Sequence, residues 1–210
     1  MTRVSCPPSW PTCEAVDNGR VSDETSADSG TDIEQPPPEE PLPPRRVWLV
    51  AIVAPVILAA DLISKQLALS ALEGEAPVRA LGGLFYLQIV RNPGAAFGMA
   101  TGMTWVLTLI ALAVVIGIIW VMPKLRSTGW AIGLSLVLAG AVGNLLDRFF
   151  RAPGAMHGHV VDFLSPFAPN GEVFPVFNVA DSSIVCGGAL IVLMALLGRD
   201  YDGRRTVGKK

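Results

Sequence analysis

Residues Met103 to Met122 read MTWVLTLIALAVVIGIIWVM, twenty positions without a single charge. A helix needs about 20 mostly apolar residues to cross the hydrocarbon core of a bilayer. Three further stretches meet that length: Val47–Leu72, Trp130–Leu146 and Val179–Gly198. The first is interrupted by Asp61 and Lys65, the third holds Asn144, and the fourth carries Asp181 near its start. Pro55 inside the first is expected to kink it, which neighbouring helices in a membrane can accommodate. The chain therefore reads as an all-α polytopic membrane protein with four transmembrane helices.

Composition agrees once the chain is divided. Of 210 residues, 51% are hydrophobic and 16% charged, with mean hydropathy +0.48 and net charge −2. A soluble domain carries about 25% charged residues, so a soluble globular protein is excluded. Residues 1–46 hold nine of the 17 prolines and nine of the 18 acidic residues, with only Arg3, Arg20, Arg45 and Arg46 as basic ones. Such a segment cannot bury a core and is expected to be disordered. It has no apolar run of signal-peptide type. Three regions are thus predicted: an acidic Pro-rich tail over 1–45, a membrane domain over 46–198 and a basic tail over 199–210.

Orientation follows from Lys and Arg near the ends of the spans. Arg45 and Arg46, then Lys124 and Arg126, then Arg199, Arg204, Arg205, Lys209 and Lys210 fall on one side. That side is predicted cytoplasmic, with both termini inside. Residues 73–102 and 147–178 are then the outer loops. Within the first, the β-branched and aromatic run Leu84–Arg91 predicts a short strand, and Asn92-Pro93-Gly94 a turn.

Charges in apolar segments are costly, so each needs a partner or a role. Asp61 and Lys65 are four apart and share a helix face. They read either as a self-neutralising pair that helps packing or as part of a polar site near the outer surface. Asn144, Asp147 and Arg148 close the third span. Asp162 follows that span in the apolar setting Gly158-His159-Val160-Val161-Asp162-Phe163. Asp181 opens the fourth, where Asn178 can cap the helix. Each of these charges has an ordinary structural explanation. Together, Asp162 and Asp181 put two carboxyls at one membrane boundary, where their proximity lets one keep a proton while the other acts as base. No serine or cysteine has an evident base partner. His157 and His159 lack the companions of a metal site, and Cys6, Cys13 and Cys186 form no disulfide or zinc framework.

The set Asp61-Leu-Ile-Ser-Lys65, Arg91-Asn92-Pro93-Gly94-Ala95-Ala96-Phe97, Gly143-Asn144-Leu-Leu-Asp147-Arg148, Val160-Val161-Asp162-Phe163 and Phe177-Asn178-Val179-Ala180-Asp181-Ser182 resembles the lipoprotein signal peptidases, the type II signal peptidases of bacteria. The resemblance covers about residues 46–198 in the family's order. It implies an intramembrane aspartic protease that cleaves prolipoproteins before a diacylglyceryl-modified cysteine. By position it implies Asp162 and Asp181 as the catalytic pair. Asn92, Gly94, Asn144, Arg148 and Asn178 match residues that shape or line the site, and Asp61 and Lys65 a supporting pair. Asp147, the rival carboxylate, is read as a paired structural charge beside Arg148. A small extracytoplasmic β-cradle, a cytoplasmic-membrane location and inhibition by the cyclic peptide globomycin are also implied. The expected partners are prolipoproteins and membrane lipids, with no metal, cofactor or nucleic acid and a monomeric state. The stretch from Arg148 to Asp162 is longer than in many members, and residues 1–45 lie outside the family core and are expected to be dispensable for cleavage. A small transporter and a non-enzymatic assembly factor are the rival readings. Only four spans, an uncharged second span and no paired broken helices weigh against the transporter.

Overall fold

The computed structural model describes residues 42–94 and 104–205. Four helices dominate: α1 (Val47–Leu72), α2 (Thr104–Val121), α3 (Thr128–Phe150) and α4 (Val179–Leu196). All four are long and apolar enough to span a bilayer. Between α1 and α2 lie β1 (Val78–Ala80) and β2 (Phe85–Asn92), and between α3 and α4 lies β3 (Val160–Pro166). The strands form one antiparallel sheet in the order β1-β2-β3. The predicted strand is β2, shifted by one residue, and the predicted cradle is this sheet.

The helix limits follow local chemistry. α1 runs through Pro55 and ends at Glu73, after which Gly74 takes a left-handed turn (φ 84°) that a residue with a Cβ adopts at a cost. α4 opens on a capping box: Asn178 accepts from the Asp181 backbone N–H, and the Asp181 side chain accepts from the Asn178 N–H. α3 departs most from expectation. It begins two residues before Trp130 and continues four beyond Leu146, carrying Asp147 and Arg148 inside the helix instead of in a loop. The extension is possible because both side chains are buried against partners contributed by distant segments.

α3 is also the centre of the bundle. Half of its most apolar stretch is buried, against 11% for α1 and α2 and 17% for α4, yet its mean hydropathy of 1.7 is the lowest of the four. Lipid tails are as apolar as leucine, so strongly apolar side chains belong on the outside, where Ile52, Val56, Ile63, Ile116, Ile119 and Val185 are exposed. The inner helix instead uses small residues to bring backbones together. A Cβ on Gly140 would lie 2.3 Å from the Ala180 carbonyl oxygen, so α3 and α4 touch there only because Gly140 lacks one.

At one end of the bundle three segments join. The Arg46 N–H donates to the Leu125 carbonyl (2.8 Å), and the Arg126 N–H to the Tyr201 carbonyl (2.9 Å). Residues 199–205 turn back on themselves, with Arg199 bridged to Arg205 and Tyr201 packed edge-on against Trp130. The basic residues used for the orientation argument in these three segments thus share one side. The sheet and the ends of α3 and α4 that carry the candidate residues lie at the opposite end.

Candidate active site

Two polar clusters meet where α1, α3, α4 and the sheet converge. The first begins on α1. Asp61 and Lys65 are fully buried, one helical turn apart, with Lys65 Nζ 2.8 Å from Asp61 Oδ2. The same ammonium lies 2.9 Å from Asp147 Oδ2 and donates to Asn144 Oδ1 at 3.2 Å. An ammonium has three N–H donors, and three acceptors from two helices take them up. The remaining Asp61 oxygen accepts the Ala180 N–H of α4 at 2.9 Å. Gly143 leaves room for this, since a Cβ there would sit 2.5 Å from Asp61 Oδ2. Asp147 is further bonded to the Arg151 side chain and accepts the Val161 N–H at 3.2 Å.

Asp147 is therefore paired, but with Lys65 and Arg151 and not with Arg148. Adjacent residues on a helix do not face each other, whereas residues four apart do. Arg148 instead donates to the Gly94 carbonyl at 3.3 Å and faces Asp181 and Asp162 electrostatically. Asp61 and Lys65 pair with each other, and through Asn144 they reach the second cluster.

That second cluster is built on β3 and α4. Asp162 lies on β3 and is 1% exposed, while Asp181, in the first turn of α4, is partly open. Asn178 touches both. Its side-chain amide donates to Asp162 Oδ1 (2.7 Å), and its backbone N–H donates to Asp181 Oδ2 (3.2 Å). Asn144 donates to the other Asp181 oxygen (2.7 Å), and Asn92 to the other Asp162 oxygen (2.9 Å). Asn92 reaches Asp162 diagonally, because its own cross-strand partner is Val160.

The three asparagines follow one rule. Each has its carbonyl oxygen occupied by a donor that fixes which way the amide faces: the Gly94 N–H for Asn92, Lys65 for Asn144 and the Asp181 N–H for Asn178. The NH2 group of each is then aimed at one of the two carboxylates. All four carboxylate oxygens are held by neutral donors. Burial, followed by the nearby charge of Asp181, pushes the Asp162 carboxyl from its ordinary 3.8 up to about 7, while the Asn92 and Asn178 hydrogen bonds and the Lys65 charge pull it down. A carboxyl that holds a proton near neutrality beside a second carboxylate is equipped for general acid and base work on one substrate.

All ten residues singled out from the sequence meet in these two linked clusters: Asp61, Lys65, Asn92, Gly94, Asn144, Asp147, Arg148, Asp162, Asn178 and Asp181. Ala95, Ala96 and Phe97 of the second motif lie outside the described residues. Sequence reading missed Arg151, Gly143 as the space for Asp61, and the Ala180 N–H. Arg151 carried a usable signal, the four-residue spacing from Asp147, had α3 been extended past Leu146. The Ala180 contact carried none, being a backbone group 119 positions from its partner.

A family model described as signal peptidase (SPase) II matches residues 53–197. The lipoprotein signal peptidase of Rhodococcus jostii (strain RHA1) is 50% identical over 198 residues, covering 90% of this chain and 98% of its own. That of Mycobacterium tuberculosis (strain ATCC 25618 / H37Rv) is 50% identical over 173 residues, 82% of each chain. Among solved structures, a bacterial membrane enzyme determined in meso superposes with a TM-score of 0.63 at 25% identity, covering 75% of this chain and 93% of that one.

Proposed function

This chain belongs to the signal peptidase II family and is a membrane protease that removes signal peptides from prolipoproteins; we propose that Asp162 and Asp181 are its catalytic pair and that it cleaves before a diacylglyceryl-modified cysteine. Family membership decides against the transporter and assembly-factor readings. The observation that carries the dyad assignment is Asn178, which bonds to both carboxylates from the cap of α4. Asp147 is given a bracing role instead, a reading supported by its ion pairs with Lys65 and Arg151.

In this reading a water sits between the two carboxyls. Asp181, the more open group, takes a proton from the water as its oxygen attacks the carbonyl carbon preceding the cysteine. Asp162 gives its proton to the carbonyl oxygen, so a neutral tetrahedral diol forms. Collapse breaks the C–N bond. Asp181 returns its proton to the cysteine nitrogen, and Asp162 recovers one from the diol. The cation of Arg148 and the amides of Asn92, Asn144 and Asn178 orient the peptide and the two carboxyls. The lipid chains of the substrate stay in the bilayer, which sets the scissile bond at the membrane boundary. The side carrying the site is the extracytoplasmic one by the Lys and Arg distribution, with both termini in the cytoplasm. The chain acts as a monomer in the cytoplasmic membrane, and the N-terminal tail over residues 1–45 is dispensable for cleavage.

Purified protein incubated with a lipidated and an unlipidated precursor tests this reading. Cleavage of the lipidated form alone is the expected result; equal cleavage of both refutes the assigned substrate.

A further inference from the structure

At the end of the bundle opposite the aspartates, a groove of about 540 Å³ lies between α2 and α3. Its walls are Val114, Gly117, Ile118 and Val121 of α2 and Leu134 of α3. Its mouth is formed by Trp120, Lys124, Trp130 and Tyr201. None of these residues takes part in the chemistry above. One end of the groove is closed. Trp130 donates to the Arg199 carbonyl at 2.7 Å and meets Tyr201 edge-on, which fixes the turned-back segment 199–205 as an end wall. At Gly117 an added Cβ would meet nothing within 4 Å, so the space above that residue is open.

We infer that this groove binds one acyl chain of an anionic phospholipid from the cytoplasmic leaflet, with Lys124 at the headgroup. Length favours a lipid over a peptide. From Val114 to Lys124 is ten residues, or about 15 Å of helix, roughly half of a 30 Å hydrocarbon core. An acyl chain occupies one leaflet, whereas a transmembrane peptide would need a groove through both. The mouth has the amphipathic aromatics that settle at headgroup level. Charge selects the headgroup. The segments 42–46, 123–128 and 199–205 carry seven basic residues against two acidic ones, Asp200 and Asp202. Lys124 folds over the Trp120 ring, 4.5 Å from its centroid, and among the described residues it has no carboxylate partner, whereas Arg204 is paired with Asp202.

The test is native mass spectrometry of the full-length protein, delipidated in detergent and then offered equimolar phosphatidylglycerol and phosphatidylcholine. One phosphatidylglycerol per chain should be retained. Gly117→Phe, or Val114→Trp if the first variant folds poorly, should lose it, because either ring fills the groove. Both should keep wild-type cleavage of a lipidated precursor in detergent. Lys124→Gln should still retain a lipid but lose about fivefold in preference for phosphatidylglycerol, the effect of one basic group near an anionic surface. Equal lipid retention in wild type and a folded, groove-filled variant overturns the site. Absence of headgroup preference in the wild type overturns the anionic assignment. A photocrosslinker at position 117 that captures precursor peptide overturns the lipid as occupant.

Discussion

The Asp61–Asp147 cluster and the Asp162–Asp181 cluster each hold two carboxylates, and they differ in what holds them. In the first, Lys65 stands 2.8 and 2.9 Å from the two carboxylates and Arg151 adds a second cation. In the second, the donors are the amides of Asn92, Asn144 and Asn178 and one backbone N–H. A cation in contact ties a carboxylate into a charge pair. A neutral amide fixes position without settling where the proton resides. On the proposed assignment, neighbouring carboxyls divide into a brace and a reactive pair. Asn144 joins them, accepting from Lys65 on one side and donating to Asp181 on the other.

The largest test of that division is loss of a carboxylate from the reactive pair. Asp162→Asn and Asp181→Asn should each reduce cleavage by about 10²–10⁴-fold or more, the range for removing a general acid or base. Both proteins should still insert and unfold cooperatively. Full activity in either would break the assignment.

Lys65→Met strikes the brace. It leaves Asp61 and Asp147 buried beside each other with one cation fewer, a change of about 3–5 kcal/mol in stability for a broken buried pair. Thermal unfolding in detergent reads this directly; an unchanged midpoint would mean that Lys65 does not hold the helices together.

Asp147→Asn should cost less, about 1–3 kcal/mol, because the amide can still accept from the Val161 N–H. It should retain measurable cleavage. A stable but inactive Asp147→Asn protein would move Asp147 from the brace to the chemistry.

The last test is in pH dependence. With Asp162 raised from 3.8 to about 7, the folded state binds more protons than the unfolded state between those values. The stability contributed by this group is therefore fully present below about pH 4 and lost as pH rises to about 7. Asp162→Asn should flatten that slope, matching wild type near pH 4 and exceeding it at pH 8. Wild-type cleavage should decline above about pH 7 as Asp162 loses its proton. Parallel stability profiles for the two proteins would show that Asp162 titrates as an ordinary carboxyl.

Local spacing carried much of this into the sequence. Asp61 and Lys65 announce their pairing by standing four apart, and Asn178 and Asp181 announce the capping box by standing three apart. α1 was readable to both its ends. The end of α3 was not, because Asp147 and Arg148 look like loop charges until Lys65, 82 positions before Asp147, is known to pair with Asp147 and the Gly94 carbonyl to accept from Arg148. Strand β3 was hidden for a related reason: an apolar run containing one aspartate becomes a strand by pairing with β2 across some 70 residues.

By itself, the sequence determined that the chain crosses a membrane four times and which side its basic residues share. Both depend on runs of side chains whose free energy in hydrocarbon or at its surface is local and additive. It also narrowed the chemistry to four carboxylates, because charge is scarce in the spans. Only the tertiary structure decided which of the four are neutralised. That outcome rests on whether a cation or an amide arrives within about 3 Å. Arrival depends on helix packing and strand register, set jointly by residues far apart in the chain.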